Sequence, residues 1–115
     1  MEHLTLTTFK SKIMNFDVNK KWKFEGKLPA IIDFYASWCG PCKTISPILE
    51  DLATEYKNKI NIYKIDIEDQ QELSKLFNIR SVPSVLFIPM NGEPQMSHGA
   101  SSKSKFKEAI ESILK

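Results

Sequence analysis

The sequence of 115 residues has only two cysteines and two histidines, and it lacks any long hydrophobic run. Two cysteines are too few for a disulfide-rich scaffold or a four-cysteine zinc site. The longest apolar run is Val85–Ile88, far short of the roughly 18–20 residues of a membrane span. Lysine and arginine exceed aspartate and glutamate by only two, which argues against nucleic acid as a partner. The length and composition predict one compact globular domain.

The N-terminal segment, residues 1–28, shows neither the charge cluster nor the apolar stretch of a secretory signal. We therefore expect a cytoplasmic protein, or a periplasmic one if a signal peptide has been removed. Phe9, Ile13 and Phe16 fall near helical spacing and predict a short amphipathic helix, whose lysines we interpret as a solvated face. Residues 1–28 are thus an N-terminal extension, and residues 29–115 form the core of a single domain.

Two neighbouring segments carry the clearest patterns of the core. Residues 30–36 are almost continuously apolar, which predicts a strand buried on both faces. From Pro41 to about Tyr56 apolar residues recur every 3.6 positions, which predicts a helix. Pro41 suits the first helical turn, where no amide hydrogen bond is lost, whereas Pro47 lies inside the pattern and predicts a kink.

Further elements follow in alternation. Residues 60–65 have the pattern of a strand, and Asp69 with Glu72 is spaced as a capping box that would open a short helix. Val85–Ile88 predicts a strand, and Asn91-Gly92 signals a hairpin whose return strand is residues 95–98. A serine at 101 or 102 would cap a final helix. This order predicts an α/β domain with a mixed β-sheet.

The two cysteines lie at the start of the long helix. Cys39 is at or just before the N-terminus and Cys42 is one turn inside. Unpaired amides at a helix N-terminus stabilise an anion, so we expect a lowered pKa for the Cys39 thiol. Cys39 would attack a substrate disulfide, and Cys42 would then attack Cys39 and release the reduced substrate. Alternatives are half of a zinc site, although His3 and His98 lack finger spacing, and a structural disulfide, although so short a loop removes little chain entropy.

Asp33 lies within the apolar strand, where a carboxylate is unfavourable unless it is paired or neutral. Positions 31, 33 and 35 share one face, which would place Asp33 under the cysteine loop. A buried carboxyl there would have a raised pKa and could take the proton of Cys42. The alternative is an aspartate at the strand end that faces water. Lys64 could pair with Asp33 from a neighbouring strand or be an ordinary surface lysine.

Val82-Pro83 stands just before a predicted strand, where proline cannot occupy a central ladder position. A cis bond would leave the Val82 backbone free to pair with an extended substrate peptide. The pattern alone leaves cis and trans open.

These residues resemble those of the thioredoxin family. Ile32–Lys43 is similar to its active-site signature, and Val82-Pro83-Ser84 is similar to its cis-proline loop. The resemblance covers residue 30 to the C-terminus in register. It implies the thioredoxin fold, with a central mixed β-sheet flanked by helices. It also implies reduction of protein disulfides without cofactor or metal, with electrons from a thioredoxin reductase or another donor. A monomer is the default expectation.

The resemblance also implies residue roles. Cys39 would be the nucleophile, Cys42 the resolving thiol and Asp33 the proton acceptor, with Lys64 near the acid. Supporting residues fall into those that shape the active-site loop and those that line a peptide groove. The loop residues are Trp38, Gly40 and Pro41, and the groove residues are Trp38, Val82, Pro83 and Gly99.

Three residues depart from the family pattern. Tyr35 stands where tryptophan is common, Ser84 where threonine is common, and His98 where an apolar residue is usual. His98 could add a titratable group to the groove and change substrate choice, or it could be an exposed residue at a strand end. Two other functions stay open. One is an exported protein that serves dedicated partners in an oxidising compartment, and the other is a binding module with incidental redox chemistry.

Overall fold

A computed structural model describes residues 1–115. Its elements in chain order are β1 (Glu2–His3), α1 (Leu6–Lys12), β2 (Ala30–Tyr35), α2 (Gly40–Glu55), β3 (Asn61–Asp66), α3 (Gln71–Leu76), β4 (Ser84–Ile88), β5 (Gln95–His98) and α4 (Lys103–Leu114). The strands form one sheet in the order β1-β3-β2-β4-β5. Both β1 and β2 run parallel to β3, whereas β4 is antiparallel to β2 and to β5. The predicted single α/β domain with a mixed sheet is confirmed.

Helices cover both faces of the sheet because the strands bury side chains on both sides. Along β2, Ile32 and Phe34 belong to the hydrophobic cluster that includes Phe9 of α1 and Leu73 of α3. Ile31 belongs to the second cluster, which includes residues of α2 and α4. Since alternate residues share a face, Asp33 is on the same side of the sheet as α2.

Helix α2 carries the cysteines and agrees with the predicted helix. Its buried residues include Ile45, Leu49 and Leu52, one face of the periodic pattern. The helix continues through Pro47, and the kink there stays a prediction. No helix of the structure is both long enough and apolar enough to cross a membrane.

The N-terminal segment differs from the prediction in two ways. Helix α1 begins at Leu6, earlier than predicted, because Thr5 and Thr8 form a reciprocal capping box at its start. It ends at Lys12. Strand β1 was not predicted, since two residues are too few to show a period of two. The segment also contributes to the core, where Leu4 is 2% and Phe9 is 0% exposed.

Two turn signals give different outcomes from those predicted. The capping box from Asp69 to Glu72 is wrong, since the N-cap of α3 is Gln70, which makes no side-chain cap bond. A carboxylate oxygen of Asp66 instead accepts from the Glu68 amide at 2.9 Å, so the acid at the end of β3 organises this turn. The predicted hairpin is present, but its first ladder pair is Phe87 with Gln95, so its connection exceeds two residues.

The start of α4 agrees with the prediction. Ser102 is the N-cap, and its hydroxyl accepts a hydrogen bond from the Lys105 amide at 3.3 Å. Phe106 and Ile110 then bury one face of the helix against the sheet.

Candidate active site

Cys39 and Cys42 are joined by a disulfide, with their Cα atoms 5.3 Å apart. Both residues are only 3% exposed. They cluster with Ala36, and half-buried Val82 packs against them from the loop before β4. The fold therefore brings the cysteine pair together with Val82, one of the residues of the predicted peptide groove.

The first turn of α2 distinguishes the two sulfurs. Cys39 is the N-cap residue with extended backbone, and Pro41 occupies the first turn, as predicted. The Cys42 amide donates a hydrogen bond to Cys39 Sγ over 3.2 Å. A backbone N–H and the positive end of the helix therefore both act on Cys39 Sγ and would stabilise negative charge there after reduction.

Asp33 is fully buried, and neither of its carboxyl oxygens has a hydrogen-bond partner. The alternative of a water-facing aspartate is therefore wrong. Burial raises the pKa of Asp33 from its usual 3.8 to about 6, while the nearby positive charge of Lys64 opposes this change. The carboxyl can therefore gain or lose a proton near neutral pH.

Lys64 lies opposite Asp33 in the register of β2 and β3, as predicted. Its ammonium does not form an ion pair with that carboxylate. Nζ donates to Ser46 Oγ at 3.1 Å and lies 4.5 Å from the centre of the Tyr35 ring. Lys64 thus acts on Asp33 through its charge at a distance, and the sequence carried no signal for the partner on α2.

A small cavity of about 150 Å³ lies beside these groups and Cys42. Its lining includes Cys42, Ser46, Lys64 and Tyr35. The cavity therefore brings Cys42 of α2 close to Lys64 of β3, and Asp33 is not among its lining residues.

The predicted peptide groove has a defined backbone. The Val82-Pro83 peptide bond is cis, as the family resemblance implied. The Gly99 amide donates to the Pro83 carbonyl over 2.8 Å, with Gly99 at φ +84°, a conformation that favours glycine. Trp38 is 68% exposed and so presents a large apolar surface next to the disulfide. Gly40, the first residue of α2, is also exposed.

Two of the three residues that depart from the family pattern are in contact. Ser84 and His98 face each other in the register of β4 and β5, and Ser84 Oγ lies 3.1 Å from His98 Nδ1. The third, Tyr35, has its hydroxyl 3.2 Å from His3 Nδ1. Sequence reasoning missed both contacts: the predicted hairpin left the register of Ser84 and His98 open, and His3 lies on a strand that was not predicted. It also missed Ile67, which packs against the cysteine cluster from just beyond β3.

This fold, with a cysteine pair at the N-terminus of the helix after a central strand, defines a thiol–disulfide oxidoreductase. The sequence model of the family described as Thioredoxin matches residues 2–112. The chain therefore belongs to the thioredoxin family. Its activity is that of a protein-disulfide reductase acting by thiol–disulfide exchange, and the alternative functions are not favoured.

Several known proteins are similar to this chain. The thioredoxin of Borreliella burgdorferi is 44% identical over 111 residues, which cover 96% of this chain and 95% of that protein. A chloroplastic M-type thioredoxin of Spinacia oleracea is 44% identical over 85% of this chain and 56% of its own length. The crystal structure of a chloroplastic thioredoxin z matches with a TM-score of 0.82 at 24% identity, over 98% of this chain and 93% of that chain, which supports the fold.

Proposed function

We propose that Cys39 is the attacking thiol of this reductase, that Cys42 resolves the mixed disulfide, and that Asp33 accepts the proton of Cys42. The observation that carries this assignment is the hydrogen bond from the Cys42 amide to Cys39 Sγ at the start of α2. Exposure does not distinguish the cysteines, since both are equally buried in the disulfide form. The electrostatic environment of the two sulfurs therefore decides the order of attack.

The reaction conserves electrons and protons in two exchanges. The Cys39 thiolate attacks one sulfur of a substrate disulfide, a new sulfur–sulfur bond forms, and the other substrate sulfur leaves as a thiolate. Asp33 takes the Cys42 proton, and the resulting thiolate attacks Cys39 Sγ. The Cys39–Cys42 disulfide forms, the second substrate sulfur leaves, and two electrons have passed to the substrate.

The protonation behaviour of Asp33 supports its role. A base works best when its pKa lies near the operating pH, and burial raises the pKa of Asp33 to about 6. Lys64 lines the cavity beside Cys42 and would stabilise negative charge that passes between the carboxyl and the thiol.

Trapping of the mixed disulfide tests the order of attack. Reduced Cys42→Ser protein is mixed with a peptide that contains one cystine, and the covalent adduct is measured by mass spectrometry. We expect the adduct to accumulate on Cys39, because nothing resolves it. The matched variant Cys39→Ser should give little adduct. An adduct that forms equally fast on Cys42 in the matched variant would contradict the assignment.

We further propose that a thioredoxin reductase restores the dithiol, as membership of the family implies. The exposed Trp38 and the loop around Val82 offer the surface on which a protein donor and protein substrates would dock. Reduction of the Cys39–Cys42 disulfide by a purified thioredoxin reductase with its reductant tests this. Catalytic reduction is expected, and reduction no faster than by glutathione alone would exclude this class of donor.

A further inference from the structure

The contact between Ser84 and His98 determines which nitrogen of the histidine carries a proton. Ser84 is fully buried, and its hydroxyl donates to the Ser81 carbonyl at 2.8 Å. A hydroxyl has one hydrogen, so Ser84 Oγ can only accept at its second contact, 3.1 Å from His98 Nδ1. Nδ1 therefore carries the hydrogen, and Nε2 is unprotonated in the neutral ring.

This arrangement lets His98 gain charge without rearrangement. A second proton binds at Nε2 and leaves the Nδ1–H bond to Ser84 intact. The side chain is exposed, Ser84 is its only side-chain hydrogen-bond partner, and none of the five ion pairs of the protein includes it. Strands β4 and β5 and the loop before β4 contain no carboxylate that could neutralise the added charge, and the only other charged residue in these segments is Arg80.

The position of His98 places this charge at the predicted peptide groove. It precedes Gly99, whose amide is bonded to the carbonyl of cis-Pro83, and its imidazole is anchored on Ser84, the residue that follows Pro83. A peptide that pairs with the Val82 backbone would pass this edge of the sheet. Histidine is the residue type whose charge changes most readily near neutral pH, and a protonated His98 would make the groove positive.

We propose that His98 is a specificity-determining residue that makes the reductase prefer peptide disulfides with a carboxylate near the cystine, increasingly so as the pH falls. This inference rests on the proposed function, because it requires the groove beside Pro83 to bind the substrate peptide. The ligand class is an extended acidic peptide, and the histidine acts through charge on binding, with no part in the exchange of sulfur–sulfur bonds.

The test uses synthetic peptides with one cystine and a single glutamate, each matched by a peptide with glutamine at the same position. The glutamate is moved along the peptide from three residues before the attacked cysteine to three residues after it. The ratio of kcat/KM for glutamate over glutamine is measured from pH 5.5 to 8. The ratio cancels the titration of Asp33, which affects both peptides equally.

At one or more positions we expect the ratio to rise about three- to five-fold from pH 8 to pH 5.5, the size of one exposed ion pair. His98→Gln should abolish this rise, while His3→Gln, which removes the only other histidine, should retain it. A flat ratio in the wild type at every position, or an equal rise in His98→Gln, would overturn the proposal. Turnover of the glutamine peptides reports the proposed function separately.

Nitrogen chemical shifts of the imidazole provide a second test that does not depend on activity. The neutral His98 ring is expected to be the tautomer with hydrogen on Nδ1. A ring with hydrogen on Nε2 would contradict the bond to Ser84 and the placement of the charge.

Discussion

Replacement of Asp33 by asparagine is expected to make the protein more stable at neutral and alkaline pH. The side chain is fully buried, and neither carboxyl oxygen has a hydrogen-bond partner. Asparagine has almost the same shape but cannot ionise, so it resembles the protonated acid. The perturbation therefore removes one buried negative charge and replaces one carboxyl oxygen by an amide nitrogen.

The raised pKa of Asp33 determines the size and the sign of the effect. Burial raises it from the usual 3.8 to about 6, so the folded state binds the proton more tightly than the unfolded state. Between these two values the unfolded chain ionises first, and the stability of the wild type falls as the pH rises. The full effect, present above pH 6, is about 3 kcal/mol.

Urea denaturation of the oxidised wild type and of Asp33→Asn measures this effect. We expect the stability difference in favour of the variant to increase by about 2–3 kcal/mol between pH 4 and pH 8, a shift of about 1–3 M in the urea midpoint. The buried asparagine amide also lacks partners, but that cost is the same at every pH. The change of the difference with pH therefore isolates the charge of Asp33.

Asp51→Asn is the matched control, because Asp51 is exposed on α2. Its stability should follow the wild type at all pH values. If Asp33→Asn also follows the wild type in parallel from pH 4 to pH 8, Asp33 has no raised pKa, and the argument from its burial fails.

Three further outcomes are expected. The Cys39–Cys42 pair should have a reduction potential of about −270 mV, as thioredoxins have, when it is equilibrated with glutathione. A value of about −120 mV would reverse the direction of electron flow. Lys64→Gln should raise the pKa of Asp33 above about 6, because it removes the positive charge that opposes the effect of burial on this pKa. The pH dependence of the unfolding free energy should then extend to higher pH, and an unchanged pH dependence would contradict this expectation. Phe9→Ala should cost about 3–5 kcal/mol in urea denaturation; a loss below about 1 kcal/mol would mean that α1 is not part of the core.

The strand and the helix that carry the active-site residues could be predicted from the local sequence. The apolar run of β2 and the 3.6-residue period of α2 are strong signals because both elements bury many side chains. Cys39, Cys42 and Pro41 then follow from their place at the start of the helix. The burial of Asp33 was also predictable, since alternate residues of a strand share a face.

Contacts between distant segments needed the tertiary structure. Strand β1 forms only because the edge of β3 offers it backbone partners, with the Leu4 amide bonded to the Lys64 carbonyl at 2.9 Å. The turn before α3 is organised by Asp66 from the end of β3, which no capping pattern near Asp69 could reveal. Short elements and turns depend on neighbours that the local sequence does not specify.

The same division applies to the chemistry of the site. Only two residues separate the cysteines that carry redox exchange, so their spacing favoured thiol–disulfide exchange over a zinc site or a structural disulfide. The sheet order decided that Lys64 would bond to Ser46 and contact Tyr35 instead of pairing with Asp33. Side chains from separate strands meet only after folding, and packing then selects among partners that the sequence leaves open.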